Sequence, residues 1–258
     1  MRRQGKMQGA AVQDVARKDN AMKKYIVVIG NFGSGKTELS LNLAFEAASA
    51  GSDVTLVDLD IINPYFRSTE RKAELEAAGI KLFSPTYAML GVEIPSLPAE
   101  IYSVFSNSSD TIIFDVGGDA AGAIALGQYK RFFKDIEAIE ALYVINARRP
   151  FSCELELNLD MIGKVTEAGR ISISALVNNT NLSQETTLTE LVEGYDMVKR
   201  VSEATGLPVK YTTGCEPVIS QFAEYVEKEG LDPAFIGKLK PIERYMHRDW
   251  ERYTEMGL

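Results

Sequence analysis

A glycine-rich octapeptide at residues 30–37, GNFGSGKT, contains the residues of this sequence with the clearest chemical meaning. It matches G-x-x-x-x-G-K-[ST] at every fixed position, directly after an apolar run and before a helical pattern. Glycines let backbone N–H groups turn inward around a phosphate, and the following helix points its N-terminus at the same anion. We expect Lys36 to reach the β- and γ-phosphates of a nucleotide and the Thr37 hydroxyl to bind Mg²⁺. The predicted nucleotide-binding residues here are Gly30, Asn31, Phe32, Gly33, Ser34, Gly35, Lys36, Thr37 and Glu38.

Acidic residues at the ends of two apolar runs are expected to complete this site. The run VTLVDLD ends in Asp58 and Asp60, and TIIFDVGGD contains Asp115 followed by Gly118. The carboxyl ends of strands form the ligand-binding edge of an open α/β sheet. We expect Asp115 to hold Mg²⁺, Gly118 to offer its N–H to the γ-phosphate, and Asp60, with Asp58 as the alternative, to orient the attacking water. The predicted metal ligands are Thr37, Asp58 and Asp115, and the predicted catalytic residues are Lys36, Asp58 and Asp60.

Two further segments follow predicted strands and carry residues that suit recognition. In NARRPFS, Arg148 and Arg149 are candidates for holding an anionic substrate or partner, or they are solvated loop residues. In NPYFRS, Tyr65 and Phe66 occupy the position of a switch loop, where they either contact a partner or anchor the next helix. Arg67 in the same segment is either a cation for the phosphate site or a solvated residue at a helix start.

Short apolar runs alternate with longer stretches of helical periodicity from Tyr25 to Tyr211. This alternation is typical of repeated βαβ units around a mostly parallel sheet, and runs without polar alternation suit strands buried on both faces. The predicted fold is a three-layer α/β architecture with a mostly parallel sheet of roughly seven strands. The predicted strands span residues 25–29, 54–58, 80–84, 111–115, 141–146, 171–178 and 208–212.

Composition narrows the class of protein further. The 258 residues are 45% hydrophobic and carry a net charge of −8, which disfavours generic binding of nucleic acid. Two cysteines and one histidine argue against a metal centre built from those residues. We expect a cytoplasmic protein in which residues 1–21 form a disordered tail and residues 22–258 form one nucleotide-binding domain. The C-terminal residues PIERYMHRDWERYTEMGL predict an amphipathic helix packed on the sheet or on a second subunit, and their mixed charges make membrane binding an unfavourable alternative.

The motifs together resemble the MinD/ParA-like branch of P-loop NTPases, within the SIMIBI class. The resemblance covers residues 25–221 and rests on GNFGSGKTELSLNLA, the DLD of VTLVDLD, TIIFDVGG and ALVNNTN. It implies that Asp58 and Asp60 lie near the nucleotide and that one of them is linked to hydrolysis. The sequence departs from that branch at Asn31, where the branch has a signature lysine that reaches across a nucleotide-dependent dimer. The GSGKT ending is also similar to that of nickel-insertion GTPases, whose Cys/His pairs are missing from this sequence.

The segment ALVNNTN bears on the nucleobase. The resemblance implies that Asn178 contacts adenine. A guanine site of the N-K-x-D type needs a carboxylate at the position of Asn181, and an amide cannot accept two hydrogen bonds in the same paired manner. ATP is therefore favoured over GTP.

The sequence therefore predicts an Mg²⁺-dependent ATPase that hydrolyses ATP slowly and acts as a switch for a protein partner, with a nucleotide-dependent homodimer as a further expectation. Three alternatives remain open: an ATP-dependent amide ligase, an NTPase for metallocentre maturation, and a sensor that binds the nucleotide without hydrolysis.

Overall fold

The computed structural model describes residues 24–60, 68–84, 101–106, 109–118, 120–133 and 139–246. The predicted N-terminal tail, the switch loop with Tyr65, Phe66 and Arg67, and most of the predicted C-terminal helix lie outside these ranges.

Within these ranges, eight parallel strands form one sheet. Their order across the sheet is β3-β2-β4-β1-β5-β6-β7-β8, so that β1 lies in the interior, between β4 and β5. The strands are β1 (Tyr25–Gly30), β2 (Val54–Leu59), β3 (Lys81–Phe83), β4 (Thr111–Val116), β5 (Ile139–Ile145), β6 (Ala175–Asn178), β7 (Val209–Gly214) and β8 (Lys238–Pro241).

Seven α-helices connect the described strands, together with four short 3₁₀ turns. The helices are α1 (Lys36–Ser49), α2 (Lys72–Ala77), α3 (Ile101–Val104), α4 (Ala120–Gln128), α5 (Leu155–Gly169), α6 (Leu188–Thr205) and α7 (Glu216–Glu229). The 3₁₀ turns are Ser68–Arg71, Lys130–Phe132, Ser183–Glu185 and Pro233–Phe235.

The sheet separates two large apolar clusters, one on each face. Leucines of α1 and α2 pack with alternate residues of β1 on one face, while α3 to α6 pack on the other. Every residue of β1, β2 and β4 is buried, as expected for strands covered on both faces. The predicted three-layer α/β fold with a parallel sheet is therefore confirmed.

The structure refines two details of the predicted sheet of roughly seven strands. The described ranges contain eight strands, because β8 pairs with β7 at the edge of the sheet. Its sequence, KLKP, has the lysines and proline that edge strands tolerate, and so it lacked the apolar run used to find the others. The strand predicted at 171–178 is shorter, since β6 begins at Ala175.

None of the helices within the described ranges is long and apolar enough to cross a membrane.

Candidate functional site

The glycine-rich octapeptide forms the loop between the end of β1 and the start of α1. Gly35 has a φ of 87°, in the left-handed region that glycine adopts most easily, and a Cβ there would lie 2.2 Å from Asn179 Nδ2. The loop therefore requires glycine for both its backbone path and its packing. The first turn of α1 opens directly behind it, as in loops that bind phosphate at a helix N-terminus.

The structure brings together Lys36, at the start of α1, and Gly118, which follows β4. The Lys36 side chain is buried, and its Nζ donates a hydrogen bond to the carbonyl oxygen of Asn31 at 3.0 Å. Gly118 lies so close to the loop that a Cβ on it would be 2.7 Å from the N atom of Phe32 and 2.8 Å from Lys36 Nζ. Gly118 thus closes the side of the phosphate loop that faces β4.

Two buried carboxylates lie side by side at the adjacent strand ends. Asp58 of β2 and Asp115 of β4 are direct partners in the parallel register, and each side chain is almost fully buried. The Thr37 hydroxyl donates a hydrogen bond to Asp115. Burial, reinforced by the negative charge of Asp58, raises the pKa of Asp115 to about 7, while the Thr37 hydrogen bond and the Lys36 charge oppose that rise.

Asp115 Oδ1 is buried and has no hydrogen-bond partner among the described residues. A buried carboxylate oxygen without a partner is unfavourable unless a cation or a donor meets it. It lies beside the Thr37 hydroxyl and the Asp58 carboxylate, and hard oxygen donors are the ligands that Mg²⁺ prefers. The residues present therefore fit a magnesium ion.

This metal position differs from a site built wholly from protein side chains. Within the described ranges, no group of three or more His, Cys, Asp or Glu side chains is arranged to hold a metal ion by itself. A magnesium ion here would take its remaining ligands from nucleotide phosphates and water, as is usual for this ion.

Asp60 follows β2 and lies beside Gly117, the residue directly after β4. A Cβ on Gly117 would be 3.2 Å from Asp60 Oδ1. The backbone N–H of Asp60 donates to Asp58 Oδ1 at 3.0 Å, and Ser68 Oγ donates to Asp58 Oδ2 at 3.1 Å. Asp58 is thus held by one residue before the segment 61–67, Asp60, and by one after it, Ser68. The sequence analysis did not single out Ser68.

The asparagines at and after the end of β6 make different contacts. Asn178 is buried under α6, where its Oδ1 accepts from the Thr180 N–H at 3.1 Å and its Nδ2 lies 3.4 Å from the Leu191 carbonyl oxygen. Asn181 donates to the Asn179 carbonyl oxygen and accepts from the Ser183 N–H, which closes the turn before α6.

The neighbouring Asn179 is the asparagine that reaches the phosphate loop. Its Nδ2 donates to the Ser34 carbonyl oxygen at 2.7 Å, and its Oδ1 lies 2.6 Å from the hydroxyl of Thr213 in β7. Sequence reasoning missed Asn179 and Thr213. The only signal was the doubled asparagine of NNTN, in which the motif comparison drew attention to the first.

Asn31, at the position of the signature lysine, points into the protein. It is 4% exposed, and its Nδ2 donates to the Phe151 carbonyl oxygen and to the Tyr143 hydroxyl. The phosphate loop is thereby tied to the loop after β5, and the Asn31 side chain does not extend from the surface as a bridging lysine would.

The Glu38 carboxylate faces away from the phosphate loop and contacts the chain's C-terminal region. It accepts hydrogen bonds from the backbone N–H groups of Tyr245 and Met246, part of residues 242–246, which we call the C-terminal strap. Burial raises the pKa of Glu38, and these two hydrogen bonds partly offset that rise. If Glu38 contacts a nucleotide, the contact would therefore be made by its backbone and not by its carboxylate.

The C-terminal strap continues across α1 to the next helix. Asn42 exchanges two hydrogen bonds with the backbone of Glu243, both 2.8 Å long, and Phe45 stacks on Tyr245 with ring centroids 4.6 Å apart. Arg71 donates to the Tyr245 carbonyl oxygen. The described residues of the predicted C-terminal helix, 242–246, form this strap instead of a helix. The strap packs on α1, which was neither of the two expected locations.

The two arginines of NARRPFS have different environments. Arg148 pairs with Glu190 at 3.0 Å and with Glu193 at 2.8 Å, both on α6. Arg149 packs its side chain on Gly33 of the phosphate loop. The sequence alone did not distinguish these two residues.

Comparisons with known proteins are limited to solved structures. No family model and no curated protein matches the chain. FtsY of Thermotoga maritima is 16% identical with a TM-score of 0.51, and the alignment covers 76% of this chain and 63% of that chain. FtsY of Mycoplasma mycoides is 15% identical with a TM-score of 0.51, covering 75% of this chain and 60% of that one. The signal recognition particle 54 kDa protein of Aeropyrum pernix, solved in complex with GDP, is 19% identical with a TM-score of 0.50, covering 75% and 42%.

These similarities define the class of fold. The chain spans less than two thirds of the length of each of these proteins, and identities this low carry information about the fold alone. The chain shares the fold of these FtsY and signal recognition particle proteins, which agrees with the predicted α/β fold class.

Proposed function

We propose that this protein is a magnesium-dependent nucleoside triphosphatase that binds ATP, hydrolyses it slowly and acts as a switch. One observation carries the proposal: Asp115 Oδ1 is buried beside Thr37 without a hydrogen-bond partner among the described residues, next to a phosphate loop that matches the motif at every fixed position. A nucleotide-bound magnesium ion would compensate this buried carboxylate oxygen.

Each side chain has a separate role in phosphate binding. Lys36 already lies at the loop on the carbonyl oxygen of Asn31, and it would exchange that contact for the β- and γ-phosphates. Thr37 and Asp115 would hold magnesium, with Asp58 beside them. The ion would neutralise charge that develops on the phosphates during transfer. Gly118 N–H would meet the γ-phosphate from the β4 side.

Hydrolysis requires mainly that the water be oriented, because phosphoryl transfer depends on positioning and electrostatics. We assign the orienting role to Asp60, which is partly exposed next to Gly117. Asp58 is buried and receives hydrogen bonds from Asp60 N–H and Ser68 Oγ, which suits a residue that positions Asp60 and the magnesium shell.

The switch proposal rests on what surrounds Asp58. One carboxylate oxygen of Asp58 accepts from Asp60 N–H and the other from Ser68 Oγ. Asp60 and Ser68 flank the segment 61–67. A change of charge at the magnesium site would therefore act directly on both ends of that segment. A protein partner would recognise this change, and so would a second copy of the chain in a homodimer that forms with the nucleotide.

Adenine is the base we propose. Asn181 carries an amide, so this position offers no carboxylate to pair with guanine. Its amide makes hydrogen bonds within the turn before α6. The fold comparison leaves guanine as the competitor, since one similar structure contains GDP. Asn178 would contribute to an adenine pocket through its place at the end of β6, with its amide fixed by backbone groups.

The proposal is tested by phosphate release from the full chain with Mg-ATP and, separately, with Mg-GTP, alongside light-scattering mass with each nucleotide. We expect turnover with ATP, a dependence on magnesium, and loss of tight binding in Lys36→Ala. Binding of neither nucleotide by the folded wild-type chain would overturn the proposal. Tight ATP binding without phosphate release would replace the switch by a nucleotide sensor, and preferred turnover of GTP would overturn the assignment of the base.

A further inference from the structure

Arg149 lies against the outer side of the phosphate loop. A Cβ on Gly33 would be 3.4 Å from its Cδ, 3.5 Å from its Cγ and 3.6 Å from its Nε. The aliphatic part of the arginine thus packs on the loop itself, and Nε of the guanidinium lies beside the loop at Gly33.

One nitrogen of the Arg149 guanidinium lacks a hydrogen-bond acceptor among the described residues. Arg149 Nε is buried and has no hydrogen-bond partner among the described residues, and within those residues no carboxylate forms an ion pair with Arg149. A buried donor that carries charge is unfavourable unless an acceptor meets it, and an anion is the acceptor that suits a guanidinium best. Arg148, one residue earlier, is paired with Glu190 and Glu193 and has no such requirement.

The loop that carries Arg149 is held in place. Arg149 N–H donates to the Asn146 carbonyl oxygen at 3.0 Å, and the Arg149 carbonyl oxygen accepts from Ser152 N–H at 2.9 Å. Asn31 ties the neighbouring Phe151 carbonyl oxygen to the phosphate loop. A side chain held this way needs little reorganisation to bind, so its contact is gained at low entropic cost.

We propose that Arg149 binds a phosphate group of the bound nucleotide, so that the loop after β5 supplies the second cation of the phosphate site from within the same chain. Lys36 reaches the phosphates from inside the loop, and Arg149 reaches them from its outer side. Asn31, which stands where the MinD/ParA-like branch has a lysine, then serves the cation indirectly by fixing the loop that carries Arg149. This inference rests on the proposed nucleotide binding.

The test is equilibrium binding of fluorescent N-methylanthraniloyl ATP and ADP, with the GTP and GDP derivatives in parallel, to the full-length chain and four variants. Arg149→Ala should weaken the preferred triphosphate about tenfold or more, because a hydrogen bond to a charged group is lost. Arg149→Lys should recover part of that loss. Arg148→Ala removes the same charge from the adjacent position and should bind as the wild type does.

Two further readouts separate phosphate binding from a structural role. The salt dependence of triphosphate affinity should become shallower in Arg149→Ala but not in Arg148→Ala, since one direct charge contact is lost. The thermal unfolding midpoint without nucleotide should stay unchanged in Arg149→Ala. Wild-type affinity in Arg149→Ala, or equal losses in both alanine variants, would overturn this inference while leaving the proposed function intact. Absence of binding by the wild type and by Lys36→Ala alike would instead overturn the proposed function.

Discussion

Asn179, directly after β6, holds the phosphate loop that follows β1: its amide donates to the carbonyl oxygen of Ser34, 145 residues earlier in the chain. Its other amide atom contacts the Thr213 hydroxyl at 2.6 Å, so one buried side chain joins the loop after β1 to the ends of β6 and β7. The conformation of the phosphate loop therefore depends on β6 and β7 as well as on β1, the strand that precedes it.

Asn179→Ala should destabilise the protein by about 1–3 kcal/mol, because it leaves buried polar partners unsatisfied. Nucleotide affinity should fall as well, since the Ser34 peptide loses its support. Thr213→Val removes the contact from the other end, and a double-mutant cycle by urea unfolding should give a coupling energy of about 1 kcal/mol. Strictly additive losses would show that the two side chains act separately.

Asp115→Asn should abolish the dependence of nucleotide affinity on magnesium. The amide removes the charge that would hold the ion, and it also relieves repulsion from Asp58, so the nucleotide-free protein should be at least as stable as the wild type. The measurement is nucleotide affinity with magnesium and with EDTA, together with thermal unfolding. Asp160→Asn is the control, because Asp160 is an exposed partner of Lys164. Unchanged enhancement by magnesium in Asp115→Asn would place the ion elsewhere.

Gly194→Ala should destabilise the protein by about 1–3 kcal/mol, although alanine favours helices. A Cβ at Gly194 of α6 would lie 2.2 Å from Asn178 Oδ1 and 2.4 Å from Thr180 Oγ1. Gly163→Ala in α5 is the matched control, because nothing lies within 4 Å of its added Cβ. That control should gain about 0.5–1 kcal/mol from helix propensity, and urea unfolding of both variants measures the contrast. A gain in Gly194→Ala would contradict the close packing of α6 on β6.

Glu190 gives stability that depends on pH. The Thr187 hydroxyl hydrogen bond, helped by Thr187 N–H and the Arg148 charge, lowers the pKa of Glu190 below its usual value of 4.5. A lowered pKa means that the folded state favours the ionised form. This stability is fully present above the unfolded-state pKa and is lost as the pH falls through the lowered folded-state pKa.

Glu190→Gln should therefore cost about 0.5–2 kcal/mol near neutral pH, the usual range for a helix cap, and the difference from wild type should shrink as the pH falls below 4.5. Urea unfolding across this range is the measurement. Glu193→Gln loses only a half-exposed pairing with the same Arg148 and should cost less than about 1 kcal/mol. A cost for Glu190→Gln that does not change with pH would exclude ionisation as its source.

The parts of this structure that could be predicted from sequence are those encoded locally. β1, β2 and β4 are apolar runs covered on both faces, and the phosphate loop is a contiguous motif, so both are readable without knowledge of the neighbours. The juxtaposition of Asp58 with Asp115 also followed, because parallel strand ends meet at one edge.

The remaining parts depend on contacts between distant segments. β8 pairs at an edge through backbone groups, and its lysine-rich sequence gives no apolar signal. Arg148 and Arg149 are adjacent and chemically identical, and only the positions of α6 and Gly33 separate an ion-paired arginine from one placed on the phosphate loop. Asn178 and Asn179 are likewise adjacent and identical, but Asn178 contacts backbone groups of Thr180 and Leu191 whereas Asn179 contacts the phosphate loop.

The C-terminal strap has a consequence for synthesis on the ribosome. Asn42 and its partner Glu243 are 201 residues apart, so α1 is made long before the strap that packs on it. Domains begin to fold from the N-terminus while the chain is still growing. The nascent chain therefore carries a phosphate loop whose helix lacks the contacts at Glu38, Asn42 and Phe45 until the strap emerges. The packing of α1 is thus completed only after residues 242–246 have been made.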